Sequence, residues 1–421
     1  MIARAARRDF RLLWTGETAS RFGSSVTGLA VPLVAVQTLH ASTFTVAVVA
    51  ASAWLPWLVI GLPAGALVDR WPRRWIMLGC DAVSIAVLVS VPVAAWLGTL
   101  TIGHLLVATT LAGVANVFFQ TSYTSYVPTV VGQGDLAEAN ARLQSSESAA
   151  QVAGPGLAGL LTQLFGAVTG LLADAVSFAV SAVCLLRIRV REEPAVRTTS
   201  RRSLRREIAA GVRFVAGDRY LRVFTVYGAV SNLLLMGYQA ILVVFLIRTV
   251  GVSPGVVGVL TALTLLGGVA GAALAPRIVR RFGSARGLLL SEGLGMPFAL
   301  LIPLTGRGPL LVCFVAGSAV LIGGVLAGNV ISATFRQAYI PLRMLGRAIT
   351  SMQFVKYGTI PLGALLGGAL GTALGLRPAM WVLTGCLAAS AAILLIGPLR
   401  GRRDLPTRPD TEKPAPEAVA A

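Results

Sequence analysis

Stretches of about twenty apolar residues, each long enough to cross the hydrocarbon core of a bilayer, recur from one end of this chain to the other. Short polar or Gly/Pro-containing breaks separate them. A fold exposed to water does not accommodate this pattern: 55% of the 421 residues are hydrophobic and only 13% charged, whereas soluble domains carry about 25% charged residues. The windows place helices at about 10–38, 44–68, 75–97, 102–125, 142–163, 168–187, 221–247, 256–278, 286–305, 309–334, 346–371 and 378–398. The expected fold class is an all-α integral membrane protein with twelve transmembrane helices in two parallel-repeat six-helix bundles.

A net charge of +19 would suit a nucleic-acid binder, but the positions of the arginines exclude nucleic acid as a partner. Arg4, Arg7, Arg8 and Arg11 precede the first span, Arg70, Arg73 and Arg74 follow the second, and Arg187 to Arg222 crowd the middle loop. Arg277, Arg280, Arg281 and Arg286 follow the eighth span, and Arg400, Arg402 and Arg403 the twelfth. Loops of the opposite side hold only Arg248, Arg307 and Arg377. This alternation predicts a multi-pass protein of the cytoplasmic membrane with both termini in the cytoplasm, its basic face against anionic lipids. Cys80, Cys184, Cys313 and Cys386 fall inside spans without metal-ligand spacing, and His40 and His104 lie near outer turns. No phosphate-binding Gly-rich loop, metal set or nucleophile constellation is present, so neither enzyme activity nor a cofactor is expected. The first apolar stretch is of full length and ends without a small-residue cleavage site, so no cleavable signal peptide is expected.

The halves repeat. An offset of 211 carries Arg11 onto Arg222, Ser42 onto Ser253, Arg70 onto Arg281, Asp81 onto Glu292 and Pro92 onto Pro303. Further on, an offset of 213 places Asn116 on Asn329, Tyr126 on Tyr339 and Pro128 on Pro341. The domains are therefore expected at 1–187 and 221–400, joined by a cytoplasmic connector over 188–220 and followed by a disordered cytoplasmic tail over 401–421. Within the connector Leu204, Ile208, Val212 and Val215 recur at helical spacing, which predicts an interfacial amphipathic helix.

Between the second and third spans, Gly65-Ala66-Leu67-Val68-Asp69-Arg70-Trp71-Pro72-Arg73-Arg74 resembles the loop signature G-x-L-A-D-R-x-G-R-[KR] of the major facilitator superfamily, departing at Val68 and Pro72. Positive-inside retention explains the arginines but not Gly65 or the acid before them. The opening Asp9-Phe10-Arg11-Leu12-Leu13-Trp14 and the run Ala173-Asp174-Ala175-Val176-Ser177-Phe178 are similar to the branch of macrolide and enterobactin exporters. In the fifth span Ala150, Gly154, Pro155, Ala158 and Gly159 resemble the pattern of proton-coupled antiporters, with alanine at two glycine positions; close helix packing explains the same residues. The arginine that many drug antiporters carry in the fourth span is replaced by Thr109. The resemblance implies a gating motif of Gly65, Asp69, Arg70, Arg73 and Arg74, with Asp69 against the N-terminus of the eleventh helix.

Ionisable groups inside a bilayer are costly, about 3 kcal/mol each, and mark candidate sites. Glu17 and Arg21 stand four apart in the first span and can pair, either as a coupling site or as a structural ion pair. Glu17 lies about 9 Å beyond Arg11 along the helix, where burial and Arg21 pull its proton affinity in opposite senses. Asp81 is the reserve proton carrier; with its repeat partner Glu292 it is also placed to brace the arginine-rich gates. Glu147 and Asp174 are expected near water at helix ends. Asn116, Gln120, Asn232, Gln239, Asn329, Gln353 and Lys356 are the candidates to line a substrate cavity, where Lys356 pairs with a carboxylate or repels cations; hydrogen-bonded packing between helices accounts equally for any one of the amide side chains.

The expected function is secondary transport that exports an amphiphilic or hydrophobic small molecule by proton antiport with alternating access. The chain is expected to work as a monomer. A dedicated siderophore or metabolite exporter, and a transport-inactive receptor or scaffold of the same fold, are the alternatives.

Overall fold

In the computed structural model, residues 4–68, 71–131, 136–190 and 211–406 are described. Among them the chain is helical throughout, with no strand. The first six helices are α1 (Arg4–Leu33), α2 (Thr43–Val68), α3 (Arg73–Trp96), α4 (Ile102–Val131), α5 (Leu136–Phe165) and α6 (Ala167–Arg187). They are followed by α7 (Arg219–Val244), α8 (Pro254–Phe282), α9 (Ser284–Gly295), α10 (Leu311–Tyr339), α11 (Leu342–Ala373), α12 (Leu376–Ser390) and the short α13 (Ala392–Ile396). Among the described residues, ten stretches are long and apolar enough to cross a membrane. The expected spans at 142–163 and 346–371 correspond to α5 and α11, whose glycine and polar content keeps them below that measure.

Several helices outrun the apolar windows. A 30-residue helix such as α1 rises about 45 Å, more than the roughly 30 Å hydrocarbon core, so its first turns stand among headgroups. There Asp9, buried, accepts the backbone N–H groups of Arg189 and Val190 and ties the start of α1 to the segment after α6. Trp14 donates to Ser146 of α5 at 2.7 Å. At the corresponding end of the second half, Asp218 caps α7 through Tyr220 and Leu221 and accepts the Tyr339 hydroxyl at 2.6 Å.

Departures from regular α-helix have sequence causes. Pro297 and Pro303 each lack a backbone donor, and α9 tightens into a 3-10 helix over Met296–Leu304. α1 and α7 both end in π-helical turns, Val34–Thr38 and Phe245–Val250, whose first residues stand 211 positions apart. Of the tail expected from 401, residues to 406 are described and folded: Asp404 accepts the backbone N–H of Ser284 and Leu405 is buried. Of the connector helix, Leu204 and Ile208 lie outside the described residues; residues 211–217 are helical, with Val215 buried and Val212 exposed.

α1 packs chiefly on α5 and α6, α3 on α4 and α6, and α2 on α4. α7 packs on α11 and α12, and α8 and α9 on α10. These two groups meet along α5–α8 and α2–α11. At the end that carries Arg248, Arg307 and Arg377, Arg248 reaches across to the Ala41 carbonyl at 2.7 Å, while Arg377 and Arg307 bridge neighbouring loops. Large apolar side chains such as Val59, Leu160 and Val312 point outward, as a lipid-facing surface requires, with Trp71, Trp75 and Trp96 exposed at helix ends.

Candidate functional site

Two polar centres lie inside the helix bundle. The first is built on α1, where the four-residue spacing of Glu17 and Arg21 puts both on one face. Arg21 Nε contacts Glu17 Oε1 at 2.6 Å, Nη1 reaches Glu147 Oε1 of α5 at 3.4 Å, and Nη2 donates to Gln120 Oε1 of α4 at 3.3 Å. Gln151, one turn beyond Glu147, donates to the same oxygen at 3.4 Å. Glu17 is only 7% exposed. Two carboxylates therefore share one guanidinium, leaving the cluster one negative charge in excess when both are ionised. A single proton would cancel that excess.

Glu147 is a member of the Arg21 cluster and lies well inside α5 rather than at its start, although its side chain stays 32% exposed and within reach of water. Asp174 also departs from expectation. It is 2% exposed and accepts hydrogen bonds from Thr27 at 2.5 Å and Ser177 at 3.0 Å, so side chains and not water solvate it. Gly23 makes room for this pair, since a β-carbon there would overlap the Ser177 and Asp174 side chains. Asp81 of α3 is 0% exposed and faces Ser181 of α6, yet neither oxygen attains hydrogen-bond geometry with any described residue. It does not brace the gate arginines: Arg74 donates to the Leu186 carbonyl at 2.7 Å and Arg73 to the Ser125 carbonyl at 3.4 Å. Asp69 and Arg70 lie outside the described residues, and Gly65 belongs to the last turns of α2. Thr109, in place of the absent arginine, joins α4 to Ser52 of α2 at 2.6 Å.

The antiporter-like motif of α5 is a packing surface on two sides. Ala150 offers its carbonyl to Ser25 of α1, and Gly154 lies under the Ser25 side chain. Ala158 is fully buried. Gly159 abuts the backbone of Gly258 on α8, as does the Pro155 carbonyl, so α-carbons stand where side chains would otherwise be. On α11, Gly363 and Gly367 approach the α7 backbone, while Gly368 meets Ala47 and Phe44 of α2.

The second centre is a cavity of about 160 Å³ between α7, α9, α10 and α11. Asn232, Asn329, Gln353 and Lys356 line it, as expected from the sequence; Asn232 also donates to the Lys356 carbonyl at 2.8 Å and so holds α7 to α11. Glu292, Tyr227 and Arg336 complete its polar wall. Glu292, like Asp81, is not a brace: its carboxyl covers Gly328, and one oxygen has no hydrogen bond. Gln120 belongs to the Arg21 cluster instead, and Asn116 and Gln239 are exposed outside this cavity. Arg336 sits in the last turn of α10, where a helix-end arginine carries no sequence mark of a cavity.

The architecture is that of a known group of membrane proteins. The family model described as transmembrane secretion effector matches residues 2–420. The multidrug efflux pump Tap of Mycobacterium tuberculosis is 26% identical over 409 residues, covering 94% of this chain and 95% of that protein. Macrolide efflux protein A of Streptococcus pyogenes is 23% identical over 152 residues, 36% of this chain and 37% of that one. Among solved structures, a point mutant of the nucleoside transporter NupG superposes with a TM-score of 0.76 at 12% identity, over 92% of this chain and 99% of that one. A bacterial homologue of the iron transporter ferroportin gives 0.73 in its inward-facing state and 0.60 in its outward-facing state, at 15% and 16% identity, each over 92% of this chain and 98% of that one. The chain is a multi-pass membrane transporter and belongs to the transmembrane secretion effector family of the major facilitator superfamily.

Proposed function

We propose that this protein exports an amphiphilic or hydrophobic small molecule from the cytoplasm in exchange for protons. The observation that carries the reading is the Glu17–Arg21–Glu147 cluster: two carboxylates on one guanidinium, with Glu17 buried and Arg21 and Glu147 half-buried, joined by Gln120 where α1, α4 and α5 meet. Such a group takes up a proton when exposed to one side and releases it to the other as access alternates. Export, rather than uptake, is supported by the names of the relatives, a multidrug efflux pump and a macrolide efflux protein. Two six-helix halves, α1–α6 and α7–α12, rocking about the contacts α5–α8 and α2–α11 provide the alternation, and the matching π-helical turns of α1 and α7 support the internal repeat. Contacts such as Arg248 to Ala41 and Gly368 to Ala47 close the end away from the basic loops. Together with the higher TM-score to an inward-facing transporter than to its outward-facing form, they support a conformation open toward the cytoplasm. Both termini then face the cytoplasm.

The test is gradient-driven transport in proteoliposomes. Glu17→Gln is expected to abolish uphill export under an imposed pH difference while leaving substrate binding and downhill exchange in place. If that variant still concentrates substrate when only a pH difference is applied, Glu17 is not the carrier, and Asp81→Asn becomes the next variant to assay. Absence of gradient-dependent movement of any amphiphile by the wild-type chain would favour a receptor.

A further inference from the structure

The cavity between α7, α9, α10 and α11 has an unbalanced wall. Arg336 and Lys356 both line it and repel each other, and among the described residues neither has a carboxylate within ion-pair distance. Glu292 is the one acid in the wall, attracted to Lys356 but not bonded to it. Two cations against one acid in a low-dielectric interior are costly to hold without a counter-charge. Neutral donors converge on the same space: Asn329 and Gln353 line it, and the Tyr227 hydroxyl is buried beside the Glu292 carboxyl without meeting hydrogen-bond geometry. Apolar side chains, Phe224, Leu235, Met296 and Met352 among them, form the remaining wall. At about 160 Å³ the space holds a head group rather than a whole drug-sized molecule, for which pockets of about 300–1,000 Å³ are usual.

We propose that Arg336 and Lys356 form a subsite for an anionic head, carboxylate or phosphate, of an amphiphile whose apolar part extends along the cavity wall. The proposal rests on the export reading above and names its substrate class. Glu292 opposes the bound anion across the cavity and so limits its affinity, which lets a carried substrate leave again. A cationic substrate would instead place its charge on Glu292 and be repelled by two neighbours. The geometry thus predicts opposite signs for three neutralising substitutions.

Binding is measured by titration calorimetry on the purified full chain in an uncharged maltoside detergent, with octyl phosphate as probe. Octanoate is expected to compete and octyltrimethylammonium not to. Arg336→Gln and Lys356→Gln are each expected to weaken octyl phosphate binding by at least about tenfold, the worth of a charge-assisted hydrogen bond. Glu292→Gln is expected to tighten it, a sign that loss of folding does not produce. Displacement by inorganic phosphate supports a free anion as the natural occupant, and displacement by phosphatidylglycerol alone supports a lipid headgroup. Tighter binding of the trimethylammonium probe, no binding of either anionic probe, or unchanged affinity in the Arg336→Gln/Lys356→Gln double variant overturns the subsite. Proteoliposome transport separates the two readings. Probe bound but never moved by a gradient overturns export and leaves the subsite; gradient-driven export of cationic amphiphiles, indifferent to both substitutions, overturns the subsite and leaves export.

Discussion

Single atoms decide how the charges of this bundle are tolerated. Asp174 is buried and, among the described residues, is solvated by Thr27 and Ser177, an arrangement that exists because Gly23 has no side chain. Gly23→Ala would drive a methyl group into those two residues and is expected to cost about 1–3 kcal/mol of stability through overpacking. Gly28, one and a half turns along the same helix, has nothing within 4 Å of its β-position. Gly28→Ala is expected to leave the melting temperature of the purified protein unchanged or raise it, while Gly23→Ala lowers it. Equal melting temperatures would mean that α1 shifts freely against α6. Nothing in the sequence distinguishes these two glycines, because the difference lies in what a distant helix presents. The Glu17–Arg21 pair was legible for the opposite reason: both partners lie on one helix, and four-residue spacing is a local rule. Glu147 and Gln120 joined it across 126 and 99 positions of sequence, which no local rule reaches.

At the scale of elements, helix positions were legible because hydrocarbon thickness sets a length that composition must match. The ends of helices were not, since turns beyond the core depend on polar anchors such as Asp9 and Asp218. The roles of glycine and proline motifs were legible only as types. Small residues on α5 predict close approach, but the structure identifies the partner as Gly258 of α8, with α5 and α8 coming from opposite groups of helices. If α5 and α8 must close together for the far end to seal, Gly258→Val should hold them apart. An overpacking cost of about 1–3 kcal/mol corresponds to a shift of about 5–150-fold toward the open far end. The expected outcome is normal insertion, transport reduced by at least about tenfold within that range, and a longer distance between spin labels placed at Leu97 and Leu310 in the far loops. Unchanged label distance with lost transport would place the defect elsewhere than in closure.

At the scale of the whole molecule, the sequence nearly repeats under the 211 offset while the two halves carry different charges, and this asymmetry gives the sharpest test. Under the 211 offset Glu17 and Arg21 fall on Gly228 and Asn232, so the first half holds the shared-guanidinium cluster while the second holds a neutral Asn232 bonded to the Lys356 carbonyl. The second half instead places Glu292, Arg336 and Lys356 around a cavity. On the readings proposed above, proton handling and substrate handling fall to different halves, and a rigid-body movement that links the halves would couple the two. The same offset maps Asp69, which lies outside the described residues, onto Arg280, an exposed residue, so if the gating reading implied by the loop motif holds, one latch has an acid for the N-terminus of a neighbouring helix and the other does not. On the proposed alternating-access cycle, a contact between the halves at the basic end is needed only when that end closes. Asp69→Asn is therefore expected to insert and extract at wild-type levels yet fail to confer efflux on a pump-deficient host. Arg280→Gln, at matched expression, is expected to retain most of it. Equal loss in the two variants would show that both latches carry the cycle equally, and near-normal efflux by Asp69→Asn would show that the first latch carries none of it.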